Sequence, residues 1–110
     1  KNSVFVSVHL NKFTTSSATG AQVFYSPNLK DSEKLGSLVQ KSIVSGLQPL
    51  NTRAIKRATS STFLLYNATV PAILVECGFL SNKDELNKLK TDKYQSQMAF
   101  AISCGIINYL

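Results

Sequence analysis

The run Val70-Pro71-Ala72-Ile73-Leu74-Val75-Glu76-Cys77 constrains this chain more than any other segment. It is short and almost wholly apolar, joined by Asn67-Ala68-Thr69 to the residues before it and followed by Gly78. Such a run fits a central strand buried on both faces. Pro71 is tolerated near its beginning, where a missing N–H does least harm to a strand ladder. Gly78 is expected to break it. One carboxylate stands inside the apolar stretch. An unpaired buried carboxylate is costly, so Glu76 must shift its pKa, find a partner or be used.

The remaining runs supply the layers such a strand needs. Val4 to Leu10 is short, β-branched and nearly all apolar, again as in a strand covered on both faces. Residues 14–20 form a polar loop. Ala21 to Tyr25 reads as a second strand, closed by the turn signal Ser26-Pro27-Asn28. Asp31 or Ser32 then caps a helix with Glu33 in its first turn. Leu35, Leu38, Val39, Ile43 and Leu47 form its apolar face, and Pro49 stops it. Residues 51–61 are polar and basic, and Phe63 to Tyr66 is a candidate third strand. Beyond Gly78, Asn82 with Glu85 suits a capping-box helix start, and Asp92 with Gln95 suits another. Tyr94, Met98, Ile102, Ile106 and Tyr109 lie on one face of a final helix. Strands mixed with helices point to an α/β layered domain.

The totals bound the function classes. A chain of 110 residues fits one small domain. No apolar run approaches the ~20 residues that span a bilayer, so membrane insertion is not expected. Twelve basic residues against six acidic give a net charge of +6, which favours an anionic partner. Those basic residues are scattered rather than blocked, as on a plain solvated surface. No RNP-like, zinc-finger or Arg-rich signature supports a nucleic-acid partner. Cys77 and Cys104 stand in apolar contexts and read as buried free thiols. No signal peptide is visible. Lys1 opens almost directly into the first strand, so further residues are expected upstream.

His9, the single histidine, and Glu76 each stand at the C-terminal end of an apolar strand. The crevice outside the carboxyl ends of strands is where open α/β sheets bind ligands. Neutral imidazole is a good zinc ligand, and a nearby glutamate can take a proton from zinc-bound water. Taken singly, Glu76 could instead pair with Arg53, Lys56 or Arg57, and His9 could be a satisfied histidine at a strand edge. One histidine cannot hold a catalytic zinc ion, which takes about three protein ligands. Cys77 is a poor candidate for another, because strand alternation turns it from the face that Glu76 uses.

Three blocks carry a resemblance: Ser7-Val8-His9-Leu10-Asn11; Gly20-Ala21-Gln22-Val23-Phe24-Tyr25; and Pro71-Ala72-Ile73-Leu74-Val75-Glu76-Cys77-Gly78-Phe79-Leu80-Ser81-Asn82. They resemble the second half of the zinc-dependent N-acetylmuramoyl-L-alanine amidases. The tail residues Tyr94-Gln95, Ala99, Ile102, Gly105-Ile106 and Tyr109 fit that family's last helix, so the likeness runs from about Ser3 to Leu110. The Glu-x-Gly-Phe-Leu-Ser-Asn block is its most specific part. His9-Leu10-Asn11-Lys12-Phe13 followed by Gly-Ala-Gln is similar to the germination-specific amidases of spore formers.

The resemblance implies a mixed, mostly parallel sheet flanked by helices, forming the C-terminal part of a larger amidase domain. It implies Zn2+ as cofactor, with His9 as the last of a His-Glu-His ligand set and Glu76 as the catalytic glutamate. The first two ligands belong to an upstream half with a Gly-His-Gly motif, which this sequence does not contain. The implied partner is peptidoglycan, outside the cytoplasm in the cell wall or the spore cortex. The implied reaction cuts the amide bond between muramic acid and L-Ala, in the cortex as a step toward muramic-δ-lactam. A non-catalytic wall-binding module that keeps the same fold is the competing expectation.

Overall fold

A computed structural model of the chain describes residues 3–11 and 16–110. Eight elements follow in order: β1 (Phe5–Asn11), β2 (Gln22–Tyr25), α1 (Lys30–Gly46), β3 (Lys56–Arg57), α2 (Phe63–Tyr66), β4 (Ala72–Phe79), α3 (Lys83–Leu89) and α4 (Asp92–Tyr109). The strands form one sheet in the order β1-β4-β2-β3. β1 runs parallel to β4 and β2 parallel to β3, while β2 and β4 are antiparallel. The expected α/β class and mostly parallel sheet are therefore what the chain adopts. Thr14 and Thr15 of the expected loop, with Lys12 and Phe13 of the resemblance, lie outside the described residues.

Alternation along β4 sorts the core. Ile73, Val75 and Cys77 point into the main cluster, where they meet Val23 from β2, Leu35, Val39 and Ile43 from α1, and Met98, Ala101 and Ile102 from α4. Ala72 joins a smaller cluster on the other side with Ala58 and Leu65, and Leu74 packs against it. The predicted faces of both long helices, Leu38 apart, thus enter the main cluster, where α4 packs chiefly on α1.

Some expectations are corrected. Phe63 to Tyr66 is one turn of helix, not a strand. A four-residue apolar run does not distinguish the two by periodicity. The turn buries Leu65 completely while Phe63 and Leu64 remain 70% and 63% exposed. Helix α1 begins before the expected cap, with Leu29 at the N-cap position. Ser32 is buried instead, and its Oγ accepts the N–H of Ala72 at 2.9 Å, tying the helix start to β4. β4 does not stop at Gly78 but runs on to Phe79. The short strand β3 arises inside the stretch read as polar and basic. Finally, β1 is not covered on both faces. Among the described residues it pairs only with β4 and forms an edge, leaving Val8 56% and Leu10 50% exposed.

Candidate active site

The site is built from three neighbouring strands. His9 on β1 stands in register with Glu76 on β4, and Gln22 on β2 stands in register with Glu76 from the other side. Residues directly opposite in a sheet project from the same face. The histidine and the carboxylate therefore share a face at the carboxyl ends of two parallel strands, as the sequence led us to expect.

Burial sets the chemistry of Glu76. Its Oε1 is buried and has no hydrogen-bond partner among the described residues. Desolvation raises the carboxyl pKa above its ordinary value of 4.5, and His9 partly offsets this by attraction. Among the described residues no basic side chain bonds to Glu76 Oε1, and the charge acting on the carboxyl is that of His9 rather than of Arg53, Lys56 or Arg57. Arg53 spends its guanidinium elsewhere: Nε donates to Thr19 O at 2.7 Å, Nη1 to Gln22 Oε1 at 3.3 Å, and the group lies 4.7 Å from the centre of the Phe79 ring.

His9 is exposed, with Nε2 2.7 Å from Ser7 Oγ on the same strand. Alternation does turn Cys77 away. It is buried in the main core, and its thiol is pushed up to about 11 by burial first and by the charge of Glu76 second. Cys104 is also a free thiol but only half-buried, short of the burial expected for it. Among the described residues, no group of three His, Cys, Asp or Glu side chains converges in a way that could hold a metal ion. His9 and the unpartnered Glu76 oxygen fit the roles of one zinc ligand and one proton carrier. That is fewer than the three protein ligands a catalytic zinc takes.

Three polar residues around the site were not assigned from the sequence. Gln22 flanks Glu76 and donates to Ala54 O at 2.8 Å. Gln40, buried in α1, accepts from Val23 N at 2.9 Å and donates to Ala21 O and Arg53 O, both at 3.2 Å. It serves backbone groups around the start of β2. Glu85 accepts the backbone N–H groups of Gly20 and Phe79, each at 2.8 Å. The available signal was a lone amide among the apolar positions of α1 for Gln40. For Glu85 the helix-start pattern pointed to a different bond.

With this geometry in place, the sequence was compared with known proteins. It matches the N-acetylmuramoyl-L-alanine amidase family over residues 1–108. The chain belongs to that family. It is 34% identical over 106 residues to the germination-specific N-acetylmuramoyl-L-alanine amidase of Bacillus subtilis, covering 96% of this chain and 44% of that protein. It is 28% identical over 108 residues to the amidase LytC of the same organism, covering 96% of this chain and 21% of LytC. Among solved structures, the CwlD amidase of Clostridioides difficile, in complex with the GerS lipoprotein, superposes with a TM-score of 0.92 at 39% identity. That match covers 96% of this chain and 53% of CwlD. The chain thus spans about half the length of the germination-specific amidase and of CwlD.

Proposed function

We propose that this chain supplies the catalytic glutamate and one metal ligand of a peptidoglycan hydrolase. The enzyme would cleave the amide bond between N-acetylmuramic acid and the L-Ala of the stem peptide. The observation that carries this reading is the in-register pair His9 and Glu76, with one glutamate oxygen buried and unpartnered. The remaining ligands would come from residues beyond those described here. Bound zinc would polarise the scissile carbonyl and acidify a water molecule.

The chain's own residues supply the rest. Glu76 takes a proton from the attacking water as oxygen adds to the carbonyl carbon. It returns that proton to the L-Ala nitrogen as the C–N bond breaks. A pKa raised by burial suits a group that must both accept and donate near neutral pH. His9 orients through Ser7 and offers its imidazole to the metal. The scattered basic surface, +6 overall, favours the anionic wall as a place to work.

In the complete enzyme, Glu76→Gln is expected to abolish release of free stem peptides from purified peptidoglycan while zinc content stays unchanged. Near-normal turnover by that variant would remove Glu76 from the chemistry. His9→Ala is expected to lower zinc content by elemental analysis, and unaltered occupancy would refute ligation. Wall binding without any peptide release by the parent protein would favour the non-catalytic module instead. The likeness to germination-specific amidases supports the spore cortex as the substrate. Spores lacking the gene should then lose muramic-δ-lactam from their cortex.

A further inference from the structure

The ladder between β1 and β4 slips one residue immediately after the site. His9 faces Glu76, yet Asn11 faces Phe79, so β4 carries one extra residue between them. Such bulges bend a strand and re-aim the side chains beside them. This one contains Gly78. A Cβ at Gly78 would stand 2.8 Å from Glu85 Oε1 and 3.0 Å from Leu89 Cδ1, so the backbone here is packed directly against the Glu85 carboxylate.

Glu85 occupies that place with both oxygens engaged. Oε1 accepts the N–H of Phe79, which closes the bulge, and Oε2 accepts the N–H of Gly20. Gly20 has a φ of +89° and leads through Ala21 into Gln22, which flanks Glu76 in register. The backbone of Glu85 is itself fixed, because Asn82 Oδ1 accepts its N–H at 3.0 Å. A capping-box glutamate would reach back to the N–H of Asn82. That N–H donates to Phe79 O instead, which leaves the Glu85 carboxylate to bridge two strands. One side chain therefore clamps the segment three residues after Glu76 and the segment leading to its neighbour on β2.

We propose that Glu85 is a positioning residue for Glu76, holding the Gly78 bulge so that the half-buried carboxylate stays on the face it shares with His9. This rests on Glu76 being the proton carrier. The test uses the complete enzyme with soluble glycan-peptide fragments and compares Glu85→Gln, Gly78→Ala, Gly105→Ala and Glu76→Gln. Glutamine keeps the shape but turns an NH2 group toward one of the two N–H donors. Glu85→Gln is expected to lower kcat roughly 10- to 100-fold with KM within about twofold, since a small misplacement of a reacting group costs that much.

Gly78→Ala pushes the carboxylate aside and should reproduce the loss. The double variant should be little worse than either single one, as expected for residues acting as a unit. Gly105→Ala is expected to destabilise the fold at the contact between α1 and α4, on the face of the sheet away from Glu76, and calibrates what lost stability alone does to kcat. The proposal is overturned if Glu85→Gln keeps kcat within about twofold of the parent, or if its loss merely matches that of Gly105→Ala at equal stability. If Glu85→Gln does not fold, Gly78→Ala decides by the same criteria. Turnover by Glu76→Gln would instead refute the assignment of Glu76, whatever Glu85 does.

Discussion

Glu76 is kept at a cost to the fold, and that cost has a sign. Burial raises its pKa above 4.5, so the folded chain holds this proton more tightly than the unfolded chain. Below pH 4.5 both states are protonated and the contribution to stability is fully present. As pH rises through the raised value, the folded state must surrender the proton too, and that stability is lost. Glu76→Gln mimics the neutral form at every pH. In metal-free protein it should therefore raise Tm over the parent at pH 7 and much less at pH 4. An equal difference at both pH values would mean that the carboxylate is not disfavoured by burial. A group whose charged form costs the fold stability, and whose buried oxygen has no hydrogen-bond partner among the described residues to offset that cost, is easier to explain by use than by packing.

At the scale of elements, the contact between α1 and α4 is the most demanding. A Cβ on Gly105 would lie 2.6 Å from Val39 Cα and 3.0 Å from Leu38 O, both backbone atoms that cannot rotate away. The hydroxyl of Ser42 donates to Ala101 O at 2.6 Å across the same contact, so the helices cannot part freely. Gly105→Ala should cost about 1–3 kcal/mol, the usual range for overpacking, measurable by urea unfolding. A cost within experimental error would show that the helices slide apart without penalty. The elements that periodicity specified strongly were legible from the sequence: β4 around its half-buried glutamate, and α1 and α4 from their apolar faces. So was the meeting of His9 and Glu76, because both end apolar runs. The one-turn helix at Phe63 was not legible, since four apolar residues carry no period. Neither was the two-residue β3, which is created by its partner β2 rather than by its own side chains. The roles of Gln40 and Glu85 were hidden for a related reason. Each serves backbone groups distant in sequence, and which groups lack partners is settled only by the assembled sheet.

Over the whole molecule, the exposed edge is the feature with consequences. β1 pairs with β4 on one side only among the described residues, and Val8 and Leu10 stand largely in solvent beside that edge. On the same side an apolar groove lined by Val6, Val8, Met98, Ile102 and Ile106 runs between β1 and α4. An open strand edge beside apolar side chains is a template for pairing with another chain. The germination-specific amidase and CwlD are about twice as long as this chain, and Glu76 and His9 lie beside the same edge. A preparation of these 110 residues alone should therefore self-associate with rising concentration, despite a net charge of +6 that opposes contact between copies. Sedimentation velocity over a concentration series measures this directly. Val8→Lys places a charge beside the edge at a half-exposed position, on the face of the sheet away from Glu76, and should shift the distribution back toward monomer. If the parent stays monomeric at high concentration and the lysine variant behaves identically, the edge is protected in solution.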